Sequence, residues 1–218
     1  MSGLGQDWRA DAKEQAPPAE LDTAKRQQIM EGARRVFLED GFDGASIGDI
    51  VRAAGVSKGT LYAYFPSKEK LFEALVFADR RKQAEVLFTL DEAEHDIERG
   101  LTKLGLTFVD MLVQPDNLAF LRIVIGAAAK FPEIGNTFYK AGPCYGTERL
   151  SAHLSRLSEK GLLRIEDTEI AARQFLDLCK TGIHLRMLLG HLEAPPRAEV
   201  ENNVRRAVQV FLAAYAPK

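Results

Sequence analysis

SIGDIVRAAGVSKGTLYAYFPSKEK, Ser46 to Lys70, reads as two short helices joined by a tight turn and followed at once by the start of a third. Ser46 is placed to cap the first helix, with Asp49 as an acidic partner in its first turn. Ile47, Ile50, Val51 and Ala54 give that helix one apolar face. Gly55 stands where a helix C-terminus favours a left-handed residue, and Val56 supplies an apolar contact in the turn. Ser57 caps the second helix. From Lys58 to Tyr64 that helix carries Leu61 as its one core-like residue, set among Lys58, Gly59, Thr60, Tyr62 and Tyr64. Pro66 ends it, and Ser67 caps a third helix.

A helix, a short turn with Gly and a second helix whose exposed side is slim and polar is the pattern that enters a major groove roughly 12 Å wide. Lys68 puts a cation at a helix N-terminus, where the macrodipole disfavours it, and a phosphate would relieve that cost. The run AGVSKGTLYAYFPSKEKLF, Ala54 to Phe72, together with Ser46, Ile50 and Val51, resembles the DNA-binding domain of TetR-family transcriptional regulators, with the AcrR branch nearest. The piece FLRIVIGAAAKFPEIGNTFYKAGP, Phe120 to Pro143, resembles the ligand domain of AcrR and AefR-like members, less specifically.

The resemblance implies an all-α chain: an N-terminal three-helix helix-turn-helix domain and a C-terminal helical domain for effector binding and dimerisation. The expected divisions are a flexible tail over 1–22, a DNA-binding domain over 23–70 and an effector and dimerisation domain over 71–218. Thr60 and Tyr62 are expected on base edges, Lys58 on guanine, and Ser57, Tyr64 and Lys68 on phosphates. Ser46 and Gly59 complete that surface. The implied partners are a double-stranded operator with inverted repeats, a second copy of the chain and an unidentified small-molecule effector. No cofactor, no metal and no membrane is implied.

Composition sets looser limits. The 218 residues carry a net charge of −2, which excludes a wholesale nucleic-acid coat, and local charge is modest. Thr23 to Lys70 holds eight basic residues against six acidic ones. The tail has five acids (Asp7, Asp11, Glu14, Glu20, Asp22) against Arg9 and Lys13, unlike a basic minor-groove arm. Cys144 and Cys179 lack CxxC or Cys/His spacing and read as core residues. No apolar run reaches the ~18 residues of a membrane span, and no signal segment is evident, which points to the cytoplasm.

Before the motif, Thr23 to Asp40 reads as a helix on Ile29, Ala33, Val36 and Phe37, ended by Gly41. Lys25, Arg26 and Arg34 sit opposite, as a solvated face or, for the first two, as phosphate contacts. After it, helices are expected from Ser67 to Phe88 and over Ile97–Leu112, Leu118–Lys130, Glu133–Lys140, Tyr145–Lys160, Thr168–Leu189 and Arg197–Ala214. In the last two, Phe175, Leu178, Leu185, Val204, Val208, Phe211 and Leu212 form apolar faces that suit pairing with a second copy or packing on the same chain. Phe108, Phe120, Ile123, Phe131, Tyr139, Phe175 and His184 are the candidate effector-binding set, with Arg122 and Thr181 as orienting groups; plain core packing is the other reading.

The same residues bear on two other classes. An enzyme would need its base among His95, His153, His184 and His191, none of which stands in a nucleophile or carboxylate pattern. A helical protein-interaction module, or a ligand-binding protein with no DNA-reading role, remains the alternative. DNA binding would weaken steeply with salt, whereas a protein partner would give a shallower slope.

Overall fold

The computed structural model describes residues 23–87 and 96–217. The expected tail, Phe88 and His95 lie outside them. The described residues fold into helices with no strand: α1 Thr23–Gly44, α2 Ile47–Ala54, α3 Lys58–Tyr64, α4 Lys68–Leu87, α5 Ile97–Leu112, α6 Pro115–Ala128, α7 Pro132–Tyr139, a π-helical turn Lys140–Cys144, α8 Tyr145–Glu159, α9 Thr168–Lys180, α10 His184–Leu188 and α11 Arg197–Tyr215.

Local chemistry accounts for most of these limits. Asp96 caps α5 by accepting from Arg99 N–H, and Asp167 caps α9 through Ile170 N–H. Pro115 and Pro132 open α6 and α7, where the missing N–H would have had no helical partner. Gly41 kinks α1 rather than closing it, and one further turn follows. The segment expected to break at Gly142 and Pro143 does not break. A π-helical turn carries Pro143 between α7 and α8, and Tyr145 N–H still reaches Gly142 and Lys140 carbonyls. Conversely, the single helix expected over Thr168–Leu189 is two: α9 stops at Lys180, and Gly182 turns the chain with φ 73° before α10.

Packing sorts these helices into two apolar cores. The first joins α1 to α4 with α6 and α7. Gly32 lets α1 and α2 touch, since a Cβ there would lie 2.6 Å from Ala54 Cα. Phe72 is its hub: its ring centroid stands 4.7 Å from Phe37, 5.2 Å from Phe42 and 5.5 Å from Phe120. Phe131 closes the far side, 5.3 Å from Phe42. The second core joins α5, α8, α9, α10 and α11, with Leu118 from the start of α6, around Phe175 and Phe211, edge to face at 5.3 Å. Cys179 belongs to it, and burial pushes its thiol up to about 12.

The boundary expected after Lys70 therefore does not mark a break in packing. Leu71, Phe72, Leu75 and Val76 are sealed into the first core together with Phe120, Val124, Ala127 and Ile134. Ionic contacts reinforce this attachment of α6 to α1: Arg34 pairs with Asp116 at 3.2 Å, and Lys130 with Asp43 at 2.8 Å.

Candidate nucleic-acid interface

The surface around α3 is assembled from caps. Ser46 Oγ accepts Asp49 N–H at 3.1 Å and donates to Asp49 Oδ2 at 2.5 Å. That bond, with help from Arg52 at 3.1 Å, holds the Asp49 carboxyl below its ordinary range. Gly55, at φ 64°, closes α2: its N–H reaches Arg52 C=O, and Val56 N–H reaches Val51 C=O. Two side chains of α1 satisfy the last carbonyls of α2, Gln28 at Ala54 O, 2.6 Å, and Arg35 at Ala53 O, 2.5 Å. Ser57 Oγ then accepts Thr60 N–H at 3.0 Å and shares a 2.8 Å hydrogen bond with Thr60 Oγ1.

These caps fix which side of α3 faces out. Leu61 is fully buried, and so is Phe65 just past the helix end. Ser57, Lys58 and Gly59 are exposed, Thr60 is half-exposed, and Tyr62 is 49% exposed. Lys58 makes no ion pair among the described residues. Tyr64 is half-buried with its ring against the first core. The result is a seven-residue helix that presents a narrow strip of hydroxyl, amine and phenol groups above one anchoring leucine.

Lys68 departs from its expected role. Its ammonium donates to Phe42 O at 2.8 Å and Ala45 O at 3.0 Å and lies 4.7 Å from the centroid of the Phe42 ring. The cation that the α4 dipole disfavours is thus compensated inside the protein, by the carbonyls at the α1–α2 junction. Arg26 also turns inward, its guanidinium 5.2 Å over the Phe65 ring. Lys25 bonds Gln28 at 2.9 Å, and Arg34 pairs with Asp79 and Asp116 instead of facing solvent. Sequence reasoning missed Gln28 and Arg35 as tethers of α2. The available signal was their spacing of seven, which puts both on one side of α1.

The seven candidate effector residues are not brought together. Phe120, Ile123 and Phe131 pack into the first core, whereas Phe108 and Phe175 pack into the second. Tyr139 is exposed, and His184 is half-buried at the start of α10, where burial and then Lys180 hold its imidazole below the ordinary value. Arg122 is spent on the end of α10, bonding Leu188 O and Met187 O at 2.8 Å each. An open groove of about 700 Å³ lies elsewhere, lined by α5 and α11 side chains including Asp96, Lys103, Asp110, Arg197 and Arg205. None of the seven lines it.

The candidate dimer residues divide in the same way. Phe175, Val204, Val208 and Phe211 are buried in the chain's own second core, and Leu178 and Leu212 are half-buried against it. Leu185, in contrast, is 63% exposed, and Ile170, Leu189 and Val210 are exposed apolar residues of the same terminal helices. No helix of the described residues is long and apolar enough to cross a membrane.

Comparisons with known proteins agree along the chain. A family model described as bacterial regulatory proteins, tetR family, matches residues 29–75. A second, described as AefR-like transcriptional repressor, C-terminal domain, matches residues 99–217. An HTH-type transcriptional repressor of Mycobacterium tuberculosis is 30% identical over 195 residues, which is 84% of this chain and 95% of the relative. The HTH-type transcriptional repressor AcnR of Corynebacterium glutamicum is 29% identical over 170 residues, 77% of this chain and 84% of the relative. A TetR-family transcriptional regulator from Mesorhizobium loti has a TM-score of 0.84 at 26% identity, covering 89% of this chain and 98% of its own. The flavonoid-responsive regulator FrrA has a TM-score of 0.77 at 30% identity, covering 90% of this chain and 100% of its own.

Proposed function

We propose, from the premise that the chain belongs to the TetR family of bacterial transcriptional regulators, that it works as a homodimeric repressor whose α3 enters the major groove of an inverted-repeat operator and leaves it when a small molecule binds. The observation that carries the reading is the outward strip of α3, with Tyr62 49% exposed and Leu61 fully buried. A helix held by one leucine and stripped of other bulk toward its own body can sit between DNA strands.

Within that reading, Thr60 and Tyr62 contact base edges and thymine methyl groups, Lys58 reaches guanine, and Ser57 lies at the phosphates with Ser46 and Gly59 shaping the approach. Lys68 positions the domain instead of touching DNA. Two copies place their α3 helices about 34–36 Å apart, in successive major grooves. The copies meet through the exposed apolar residues Ile170, Leu185, Leu189 and Val210 of the terminal helices. Repression as the sign of regulation is supported by the names of the curated relatives, and control by a small aromatic compound by the flavonoid-responsive neighbour. An effector that binds the off-operator geometry more tightly by about 1–3 kcal/mol weakens operator binding about 5- to 150-fold.

The test begins by selecting bound fragments from the source genome with the purified protein, which yields the operator. Tyr62→Ala and Thr60→Ala are then expected to lose about 1–3 kcal/mol each of discrimination between operator and random DNA, with melting temperatures unchanged. Undiminished footprints from both variants would remove α3 as the reading helix.

A further inference from the structure

The residues that precede α1 carry the sign of charge opposite to the surface they join. Residues 1–22 hold Asp7, Asp11, Glu14, Glu20 and Asp22 against Arg9 and Lys13, five acids to two bases. They meet α1 at Thr23, and the first turns of α1 bridge both ends of α3. Gln28 donates to Ala54 O at 2.6 Å, just ahead of the Ser57 cap, and takes a hydrogen bond from Lys25 at 2.9 Å. Arg26 lies 5.2 Å over the ring of Phe65, which closes α3 at its other end. The chain before Thr23 therefore starts beside the helix that turns its polar strip outward.

Cations gather at the same place. Lys25 and Arg26 stand on the first turn of α1, and Arg35 reaches across to Ala53 O at the end of α2. Arg52 pairs with Asp49 at 3.1 Å and still leaves 80% of its side chain exposed. Lys58 is exposed and makes no ion pair among the described residues. Of the acids, Glu31 takes Gln27 at 3.0 Å, and Glu39, Asp40 and Asp43 lie toward the other end of α1, where Asp43 binds Lys130 at 2.8 Å. A single exposed ion pair is worth little. A tethered partner is different, because its effective concentration is on the order of millimolar and several weak contacts then act together.

We propose that residues 1–22 dock on this cationic surface around α3 and compete with DNA for it, a role that rests on α3 being the DNA-reading helix. Reach is sufficient, since the stretch from Glu14 to Thr23 spans about 30 Å when extended. A basic arm would add to the grip on phosphates. This acidic one must lift off before phosphates take the same cations. Because it stands in the way of any duplex, it lowers affinity for operator and for random DNA by one factor and leaves their ratio unchanged. The groove between α5 and α11 also holds cations, Lys103 and Arg205, but there they alternate with Asp96, Glu98 and Asp110, so an acidic segment is less well matched to it.

The test sets the full chain beside a variant carrying Asp7→Asn, Asp11→Asn, Glu14→Gln, Glu20→Gln and Asp22→Asn together. At about 50 mM salt the variant is expected to bind operator and random duplexes alike about tenfold more tightly, as if some two cations were freed for phosphates. The gap is expected to close toward about 0.5 M, where exposed charges are screened. Trp8 is the single tryptophan of the chain, and its fluorescence anisotropy reports the tail without DNA. In wild type it is expected to fall when salt is raised and when operator is added; in the variant it is expected to be low throughout. Carbodiimide, which joins a carboxyl to an amine, is expected to couple tail acids to Lys58 and Lys25. Trp8 as free at low salt in wild type as in the variant, coupling to Lys103 in place of Lys58, or equal DNA affinity of the two proteins would each overturn the docked tail while leaving α3 its role. Trp8 held at low salt in a protein that binds no operator from the genomic selection would instead remove the reading role of α3, and with it the competition.

Discussion

Around α3 the first core leaves a helix almost bare, anchored by Leu61 and closed by Phe65, with its polar strip turned out. In the second core α11 does the reverse, sinking Val200, Val204, Ala207, Val208 and Phe211 into the chain's own body. Both patterns are periodic, yet they carry different information. On α3 the missing apolar residues say which side must meet something polar. On α11 the apolar series says that a side is covered and is silent about what covers it: a second copy and the neighbouring helices α5 and α9 satisfy the same i, i+4, i+7, i+8 rule.

The sharpest way to break this contrast uses two residues that share an expected dimer role and differ in burial. Phe211→Asp puts a charge against Phe175 and Tyr215, and should cost more than about 4 kcal/mol, combining a lost aromatic with a buried unpaired carboxylate. Urea titration is expected to find no cooperative native state. Leu185→Asp, at a site 63% exposed, is expected to unfold cooperatively at wild-type urea concentration and to halve the mass seen by light scattering. A well-folded monomer from Phe211→Asp would reassign α11 to an interface between copies.

Next in size is Lys68, which separates a tie within the first core from a contact outside it. Lys68→Met keeps the stem and removes an ammonium that serves two carbonyls and a ring, so a loss of about 2 kcal/mol in folding stability is expected. The salt slope of operator binding should stay as in wild type. Unchanged stability with a slope flatter by about 0.9, the share of one phosphate, would return Lys68 to the DNA.

How much could be read in advance follows from the range of the determining interaction. Ser46, Gly55 and Ser57 act within four residues, so the turn and both helices of the reading unit were legible. α5 was legible to the residue for the same reason, since Asp96 caps it locally. The π-helical turn was not: Gly142 and Pro143 look like a stop, and the close approach of the Arg80 stem to Gly142, more than sixty positions away in sequence, leaves no local signal. Phe120 and Phe131 were legible as apolar but not as members of the first core. Their partners, Phe72 and Phe42, lie dozens of positions away, and spacing within one helix holds no record of them.

The smallest effect lies at the edge of the second core, where the seal is incomplete. His184 is half-buried beside the exposed Leu185, and burial, with Lys180 adding repulsion, holds its pKa below the ordinary 6.5. The unfolded chain therefore binds a proton near pH 6.5 that the folded chain resists. The favourable neutral state of His184 is fully in place above that pH, and its contribution is lost as pH falls through 6.5 toward the lower folded value. His184→Gln removes the titration while keeping a polar group of similar size. In urea titrations at pH 7.5 and pH 5.5, the wild type is expected to lose stability on acidification relative to the variant. Equal losses would place the His184 ring in solvent and the edge of the second core farther in than Leu185 suggests.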